Sequence, residues 1–315
     1  MITPVHSDPP PHDLLIVGGG PAGMSAALTA GRALVDTVIV NAESPRNDAT
    51  TASHGFLTRD GAHPSTLLAV AKEQLAKYET VHYVNDSVTA TSNTDVGFEV
   101  TLTSGRRFRG ERLVIATGHV DDLGRLGLPG IDDVYGTSVY PCVFCDGFEH
   151  RTERLALFAT DVAVHYASIA RLWTDDVIVF SNGADLSAED TEALERNGVP
   201  TRTEPIRRLH SADGRLQAVE LDSGERIERD AGFIGEDYSH PATTFAESLG
   251  VTSLPNEWGT TSLDVDEAGK SGVPGLHVIG DARTGFSGLI GAAAEGAACA
   301  EAIVHEIATE RWEHQ

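Results

Sequence analysis

Two cysteines lie close enough in the sequence to react with each other. Cys142 and Cys145 are separated by two residues, a spacing that permits a disulfide on a turn or at the start of a helix. A Cys-x-x-Cys at a helix N-terminus has one thiol of lowered pKa, and its thiolate is a nucleophile at neutral pH. The next residue, Asp146, could supply or remove the proton. The pattern therefore predicts a redox-active dithiol/disulfide pair with these three residues as the catalytic groups.

A zinc site is the alternative interpretation of this pair. Structural zinc sites use four protein ligands, commonly from two such pairs, but the chain has three cysteines in all. The third, Cys299, lies among small residues where a buried apolar side chain on a helix is expected. We therefore predict no metal site. Three cysteines also exclude a disulfide-stapled scaffold for a chain of 315 residues.

A glycine-rich turn near the start of the chain is typical of dinucleotide binding. Residues 13–17 predict an apolar strand, residues 24–33 a helix and residues 37–40 a second strand, which is the order of a parallel βαβ unit. The turn fits Gly-x-Gly-x-x-Gly, whose glycines permit the tight turn, the approach of backbone to a pyrophosphate, and close packing of helix on strand. The helix N-terminus would present free N–H groups to the phosphates. The predicted cofactor-binding residues of this turn are Gly18, Gly20, Pro21, Ala22 and Gly23.

An acidic residue about 20 positions beyond such a turn binds the ribose hydroxyls. Glu43, just after the second strand, is the candidate, and Asn41 is a weaker substitute. Taken alone, this unit leaves open a turn that only reverses the chain.

Two later segments strengthen the cofactor hypothesis. An apolar strand ends in Ala116-Thr117-Gly118, and another ends in Gly280-Asp281. Together with the glycine turn, they resemble the three FAD signatures of the two-dinucleotide-fold flavoproteins. That resemblance implies that Asp281 holds the ribityl or phosphate region of the flavin. The final helix, predicted over residues 289–305, begins with small residues that would let a backbone approach a flat ring.

The signatures lie at both ends of the chain, so the region between them is predicted to be an inserted domain. We expect an α/β protein with two Rossmann-like dinucleotide-binding domains. The FAD domain is predicted over residues 1–118 and 242–315, and the inserted domain, which carries the cysteine pair, over residues 119–241. The first elements predicted in the inserted domain are a strand at 154–158, a helix at 162–173 and a strand at 177–180.

The chain resembles the low-molecular-weight thioredoxin reductases over nearly its whole length. The family's Cys-x-x-Cys-Asp-Gly motif, inside the second of two nucleotide-binding-type domains, corresponds here to Cys142, Cys145, Asp146 and Gly147. The resemblance implies that Cys145 exchanges electrons with the flavin and that Cys142 attacks the substrate disulfide. It also implies that Asp146 is the acid/base and that the enzyme is a homodimer.

The inserted domain departs from this family where NADPH should bind. Residues 159–164 contain no glycine, and Asp161 would bring a carboxylate towards the pyrophosphate. The next strand ends in Ser181-Asn182-Gly183 and not in an arginine-bearing segment for the 2′-phosphate. Losing two or three charge-assisted contacts of ~1.5–3 kcal/mol each would weaken micromolar binding to millimolar or worse.

Residues 43–47 and 53–61 instead resemble a divergent branch of the family. That branch includes dithiol oxidases of the gliotoxin and holomycin type, which close a disulfide in a small molecule and pass electrons through FAD to oxygen. Its members usually have histidine where this chain has Asp146. His54 and Arg59 could line the flavin or substrate pocket, or be structural.

The charge balance excludes several kinds of partner. The chain has 47 acidic and 23 basic residues, for a net charge of -24, and such a surface repels nucleic acid and anionic lipid. No apolar stretch reaches the 18 residues of a membrane span. The N-terminal residues 1–12 do not resemble a secretory signal, so we expect a cytoplasmic protein.

The sequence thus predicts an FAD-dependent dithiol oxidase whose partner is a small-molecule dithiol or a thioredoxin-like protein. One alternative is a thioredoxin reductase that uses NADPH in an unusual mode or ferredoxin as donor. Another is a flavin-binding sensor whose cysteines switch conformation without turnover.

Overall fold

The computed structural model describes residues 10–255 and 261–314. The N-terminal residues 1–9, which bear on the prediction about a secretory signal, lie outside the described residues. The strands are β1 (His12–Val17), β2 (Thr37–Asn41), β3 (Val81–Asn85), β4 (Val88–Thr94), β5 (Gly97–Leu102), β6 (Arg107–Ile115), β7 (His119–Asp121), β8 (Val139–Tyr140), β9 (Leu155–Phe158), β10 (Val177–Phe180), β11 (Thr201–Arg202), β12 (Ile206–Ala212), β13 (Arg215–Leu221), β14 (Arg226–Glu228), β15 (Ala231–Ile234), β16 (Ser239–Pro241), β17 (Ser253–Pro255), β18 (Thr261–Leu263) and β19 (Leu276–Val278). The helices are α1 (Pro21–Arg32), α2 (Pro64–Leu75), α3 (Val143–Asp146), α4 (Ala163–Ala170), α5 (Ala188–Arg196), α6 (Phe245–Ser248), α7 (Asp281–Thr284) and α8 (Gly288–Glu313). None of these helices combines the length and apolar composition needed to cross a bilayer.

The chain forms two compact units. Unit 1 comprises Met1–Arg46, Ser65–Val120 and His240–Gln315, and unit 2 comprises Asn47–Pro64 and Asp121–Ser239. The loop Asn47–Pro64 therefore groups with unit 2, although the predicted domains assign it to the first. This loop contributes no strand to the sheet of unit 1. It packs on Gly136 of unit 2, where an added Cβ would lie 2.3 Å from the Ala49 carbonyl oxygen. The domain boundaries remain a prediction.

Unit 1 is built on a largely parallel sheet. Its parallel strands run in the order β3-β2-β1-β6-β19, and β5 and β4 extend it antiparallel from the start of β6. The apolar strand β1 is buried on both faces, as parallel strands require. Leu14 and Ile16 pack in the cluster that contains α1 and α8, while Leu15 and Val17 pack in a second cluster on the opposite face.

Helices α1 and α8 pack on each other through small residues. A Cβ on Gly296 of α8 would lie 2.0 Å from the carbonyl oxygen of Ala22 in α1. The helix α8 is longer than the predicted 289–305, because Ile307 is still buried in the core and Glu310 forms an ion pair with Arg112.

Unit 2 contains a five-stranded parallel sheet in the order β11-β10-β9-β15-β8. Helix α4 connects β9 to β10, and it is shorter at both ends than the predicted 162–173. The strands β12, β13 and β14 form a separate antiparallel meander. Strands β9 and β10 match the predicted strands to within one residue, but β8, which the prediction missed, precedes them in the chain and belongs to the same sheet.

The contact between α1 and α8 generates a stability prediction. Gly296→Ala should lower the free energy of unfolding by about 1–3 kcal/mol, because the new methyl group forces two helix backbones apart. Gly291→Ala on the same helix is the control: its Cβ would meet Ser287 at an ordinary 3.5 Å, and alanine favours a helix over glycine by roughly 0.5–1 kcal/mol. Urea unfolding followed by circular dichroism measures both. Equal stability of the two variants would contradict this account of the packing.

Candidate active site

The predicted cofactor segments of unit 1 meet at one edge of its sheet. The last residues of β1 and β6 are paired, Val17 with Ile115, and the last residue of β19, Val278, is paired with Ile115 as well. Because all three strands are parallel, the segments that follow them emerge side by side. The glycine turn, the Ala-Thr-Gly segment and the Gly-Asp segment are these three continuations.

Three glycines of the first turn are required by contacts within the protein. Gly18 has a φ of +107°, and a Cβ there would lie 2.2 Å from the Ala116 carbonyl oxygen. A Cβ on Gly23 would lie 1.9 Å from the Gly18 carbonyl oxygen. Gly19, which the fingerprint does not single out, would clash with the Asn41 side chain at 2.4 Å. Asn41 is thus placed against the turn.

Gly20 is different, because a Cβ there would meet no protein atom within 4 Å. It is the N-cap of α1, no side chain caps this helix, Pro21 follows, and no acidic residue lies in the first turn. The backbone N–H groups of the first turn are therefore available to an anion. Open space beside uncapped donors fits the diphosphate of FAD, with Ala22 and Gly23 supplying N–H groups.

Glu43 is held by other side chains after β2. Its carboxylate accepts hydrogen bonds from Tyr83 Oη at 3.0 Å, from Asn85 Nδ2 at 2.8 Å and from Lys72 Nζ. The hydrogen bond from Lys72 is the main reason that the pKa of Glu43 is lowered. A carboxylate has about four acceptor positions, so these donors leave about one for a ribose hydroxyl. Asn41 binds the same cluster through Tyr83 Oη at 2.9 Å.

The segment after β6 is fixed by its own hydrogen bonds. Thr117 Oγ1 lies 3.0 Å from Thr243 Oγ1, and the Gly118 carbonyl accepts a hydrogen bond from the Ala242 N–H. Gly118 has a φ of +69°, a conformation that glycine adopts without strain. Ala116 is the residue against which the glycine turn packs.

The Gly-Asp segment is held by α8. The Gly280 N–H donates to Glu295 Oε2 at 2.8 Å, and a Cβ on Gly280 would lie 3.0 Å from Ala22 Cβ. Asp281 Oδ1 accepts from both the N–H and the Oγ of Ser287, each at 2.9 Å. One oxygen of Asp281 therefore orients the loop before α8, while the other lies 3.7 Å from Arg46 Nη1.

In unit 2 the two cysteines are joined in a disulfide. Their Cα atoms are 5.3 Å apart, within the usual range for a disulfide. Cys142 is the N-cap of the short helix α3, and its Sγ accepts a hydrogen bond from the Cys145 N–H at 3.2 Å. The buried side chain of Val143 anchors the turn, while Phe144 between the cysteines is 70% exposed.

Asp146 is a carboxyl group poised between its two protonation states. Burial raises its pKa to about 7, His54 opposes this shift, and Glu149 adds to it. His54 Nδ1 lies 3.6 Å from both Glu149 Oε1 and Asp60 Oδ1. A carboxyl group with a pKa near neutrality, one residue from a disulfide, has the properties of a general acid/base.

The loop that contributes His54 also contains Arg59, and the two residues differ in placement. The side chain of His54 is only 18% exposed and belongs to the charged cluster beside Asp146. Arg59 is exposed and donates to the Thr58 carbonyl at 2.8 Å. Sequence alone could not relate His54 to Glu149, because 95 residues separate them.

The turn after β9, where NADPH would be expected to bind in this family, has alanine and valine side chains in place of glycines. Ala159 is fully buried, and both it and Val162 lie 2.8 Å from the position that a Cβ on Gly235 would occupy. Asp161 is exposed in the same turn. After β10, Asn182 accepts from the Ile206 N–H at 2.8 Å and thus holds the start of β12.

Gly20 gives the first test of this site. Gly20→Asp should fold normally, because the new Cβ meets no protein atom within 4 Å, but its charge would repel a diphosphate. We expect the FAD content of the purified protein, read from the ratio of flavin to protein absorbance, to fall at least tenfold. Gly272→Asp is the control, because Gly272 also has open space at its Cβ position. Full FAD content in both variants would refute the assignment.

Asp146 gives the second test. Because its folded pKa is raised from 3.8 to about 7, it stabilises the fold below pH 3.8, and this contribution is lost as the pH rises through 7. We therefore expect the difference in unfolding temperature, wild type minus Asp146→Asn, to decrease between pH 4 and 7 and to stay constant above pH 7. Thermal unfolding from pH 4 to 8 measures this difference, and parallel curves would contradict the raised pKa.

Comparison with known proteins places this geometry in a family. A family model for pyridine nucleotide-disulphide oxidoreductases matches residues 12–297. The Aspergillus oryzae protein named thioredoxin reductase aclD is 30% identical over 312 residues, which cover 95% of this chain and 97% of that protein.

Solved structures show the same likeness. TrxB from Bacillus anthracis, a thioredoxin reductase candidate, has a TM-score of 0.89 at 32% identity, over 95% of this chain and 99% of its own. The structure of HlmI has a TM-score of 0.89 at 28% identity, over 96% of this chain and 95% of its own. The predicted fold class and the predicted cofactor, FAD, are confirmed. The chain belongs to the pyridine nucleotide-disulphide oxidoreductase family and is an FAD-dependent, thioredoxin reductase-like enzyme that acts on sulfur groups.

Proposed function

We propose that the protein is a dithiol oxidase, which closes a disulfide in a small molecule, passes the electrons through FAD to oxygen, and does not use NADPH as donor. The observation that carries the proposal is the contrast between two turns. The turn of unit 1 leaves open space at Gly20, whereas the corresponding turn of unit 2 has Ala159 and Val162 in place of glycines and carries the exposed Asp161.

The cysteine pair would react by thiol–disulfide exchange. A substrate thiolate attacks Cys142 Sγ, the Cys142–Cys145 bond breaks, and Cys145 leaves as a thiolate. The second substrate thiolate then attacks the substrate sulfur of this mixed disulfide and releases Cys142. One S–S bond forms in the substrate and one breaks in the protein, so two electrons and two protons leave the substrate. Bound FAD supplies the two-electron acceptor that reoxidises the pair and delivers the electrons to oxygen.

Asp146 would manage the protons of this exchange. A thiol must lose its proton before it attacks, and a carboxyl group of pKa about 7 is partly ionised at neutral pH. Its ionised form accepts the proton of the incoming thiol, and its protonated form can return one to the Cys145 thiolate. His54 favours the ionised form and Glu149 the protonated form, so these two neighbours set the balance.

The surroundings of the disulfide favour a small apolar substrate. Phe144 and Phe148, which precede and follow Cys145 in the sequence, are 70% and 59% exposed. Exposed aromatic side chains suit an apolar ligand. A net charge of -24 disfavours approach of an acidic protein partner, and thioredoxins and ferredoxins are commonly acidic.

A thioredoxin reductase is the second candidate function, because the relatives aclD and TrxB carry that name. Such an enzyme would need NADPH in an unusual mode, or ferredoxin, as its electron donor. A homodimer in the cytoplasm, as the family resemblance and the sequence composition suggest, is compatible with both functions.

The electron donor distinguishes the two candidates. In the absence of oxygen, stoichiometric NADPH should leave the flavin absorbance of the holoenzyme unchanged over seconds, because the turn after β9 lacks the glycines that admit a diphosphate and carries the Asp161 carboxylate. A small dithiol should bleach the flavin, and admitted oxygen should restore the colour. Stopped-flow absorbance follows both reactions. Rapid bleaching by micromolar NADPH would refute the proposal, and bleaching by reduced ferredoxin alone would select the second candidate.

The matched controls for this experiment are Cys142→Ser and Cys145→Ser, each in the holoenzyme. Either substitution should slow bleaching by the dithiol by several orders of magnitude, because the exchange needs both sulfurs. Wild-type rates in both variants would show that the dithiol reduces the flavin without the cysteine pair.

A further inference from the structure

A second group of reactive side chains lies in unit 1, at the opposite edge of the sheet from the glycine turn. His12 is the first residue of β1, Asp36 directly precedes β2, and His82 is the second residue of β3. They lie at the amino ends of three neighbouring parallel strands, whereas the turn follows the carboxyl end of β1. Six strand residues at ~3.3 Å each separate the two edges by about 20 Å.

The three side chains converge on one another. His12 Nδ1 lies 2.9 Å from Asp36 Oδ2, and His82 Nε2 lies 3.2 Å from Asp36 Oδ1. One nitrogen from each histidine and one carboxylate oxygen all lie within 4.8 Å of one another. The two imidazole rings are 5.8 Å apart and inclined at 57°, so they are not stacked on each other and both face the carboxylate.

The backbone that carries these residues is fixed. The pairing of Val38 with His82 and of Leu14 with Thr37 sets the relative positions of β1, β2 and β3. Asp36 is held by its own backbone, because its N–H donates to Asp13 Oδ2 at 3.0 Å and its carbonyl accepts from the Leu14 N–H at 3.1 Å. The cluster is therefore a product of sheet register.

We propose that His12, Asp36 and His82 bind one divalent transition metal ion, for which Zn²⁺ is the best-suited candidate. Two imidazoles and one carboxylate are a donor set that suits zinc, whereas Mg²⁺ and Ca²⁺ prefer oxygen ligands. The side chains of Asp36 and His82 are about half exposed, so water can complete a four-coordinate shell.

The charge near this site also favours a cation. A metal ion binds the neutral form of histidine and the ionised form of aspartate, so the Asp36 carboxylate is the anionic ligand of the site. Arg311 Nη2 donates to the neighbouring Asp13 carboxylate at 2.8 Å. The guanidinium group is therefore paired with Asp13 and not with Asp36. The whole chain has a net charge of -24, which raises the local concentration of cations. A bound ion would connect β1, β2 and β3 and stabilise unit 1 against unfolding.

The proposal is independent of the thiol chemistry, and its test uses the oxidised holoenzyme for that reason. With Cys142 and Cys145 in a disulfide and Cys299 buried, no thiolate is free to bind the metal. Titration calorimetry with Zn²⁺ should give one ion per chain with a dissociation constant in the micromolar range. Mg²⁺ under the same conditions should give no binding.

Substitutions identify the ligands. His12→Gln, Asp36→Asn and His82→Gln should each weaken zinc binding at least tenfold and abolish the rise in unfolding temperature that zinc causes. His305→Gln, an exposed histidine on α8, should change neither. FAD content and circular dichroism verify that each variant is folded. Zinc binding that survives the double substitution of His12 and His82, or that weakens equally in His305→Gln, would overturn the proposal.

X-ray absorption at the zinc edge provides a readout that needs no variant. The zinc-loaded wild type should show only nitrogen and oxygen ligands, with scattering from two imidazole rings. A sulfur ligand, or a shell of oxygen alone, would overturn the assignment. These outcomes concern only the metal site, and none of them alters the expected reduction of the flavin by dithiols.

Discussion

The architecture of unit 1 depends on backbone contacts that leave no room for a side chain. Gly23 lies against the Gly18 carbonyl, Gly18 against the carbonyl of Ala116, and Gly296 against the carbonyl of Ala22. These contacts bring the turn after β1, the end of β6 and the helix α8 together with nothing between them. A methyl group on any of these three glycines would collide with the carbonyl that the glycine contacts and would force the two elements apart. Among the glycines of the turn after β1, Gly20 leaves its space open and so provides room for a ligand.

In unit 2 the corresponding constraint is electrostatic. Burial raises the pKa of Asp146 to about 7, and the interaction with His54 partly offsets this shift. Each unit of pKa shift corresponds to 1.36 kcal/mol of differential interaction, so at neutral pH ionisation of Asp146 is less favourable in the folded protein than in the unfolded chain. The fold thus loses stability at the position where acid/base chemistry needs a group that is half protonated.

Local patterns in the sequence were sufficient for the βαβ unit, the glycine turn and the placement of Cys142 at a helix N-terminus, because each depends on residues adjacent in the chain. Contacts between distant residues were not visible. Examples are Glu295, which binds the Gly280 N–H, and the grouping of Asn47–Pro64 with unit 2. His12, Asp36 and His82 meet only through strand register, and their sequence spacing matches no metal motif. The extra length of α8 was missed because its last turns are mostly polar, although Ile307 still reaches the core.

The two turns share one topology and differ in what lines them, which determines how electrons could enter. A diphosphate binds where backbone N–H groups can approach its oxygens to about 2.9 Å. Glycines give that access in the turn of unit 1, whereas Ala159 and Val162 stand in the turn of unit 2. A phosphate charge brought to about 4 Å from the Asp161 carboxylate would add a repulsion of about 4 kcal/mol at an effective dielectric constant of 20, roughly a thousandfold in affinity. In the proposed reaction no nicotinamide reduces the flavin, so the source of electrons is the substrate that exchanges with Cys142. Net flux in the proposed oxidase therefore runs from dithiol to flavin, the reverse of the direction in which a thioredoxin reductase works.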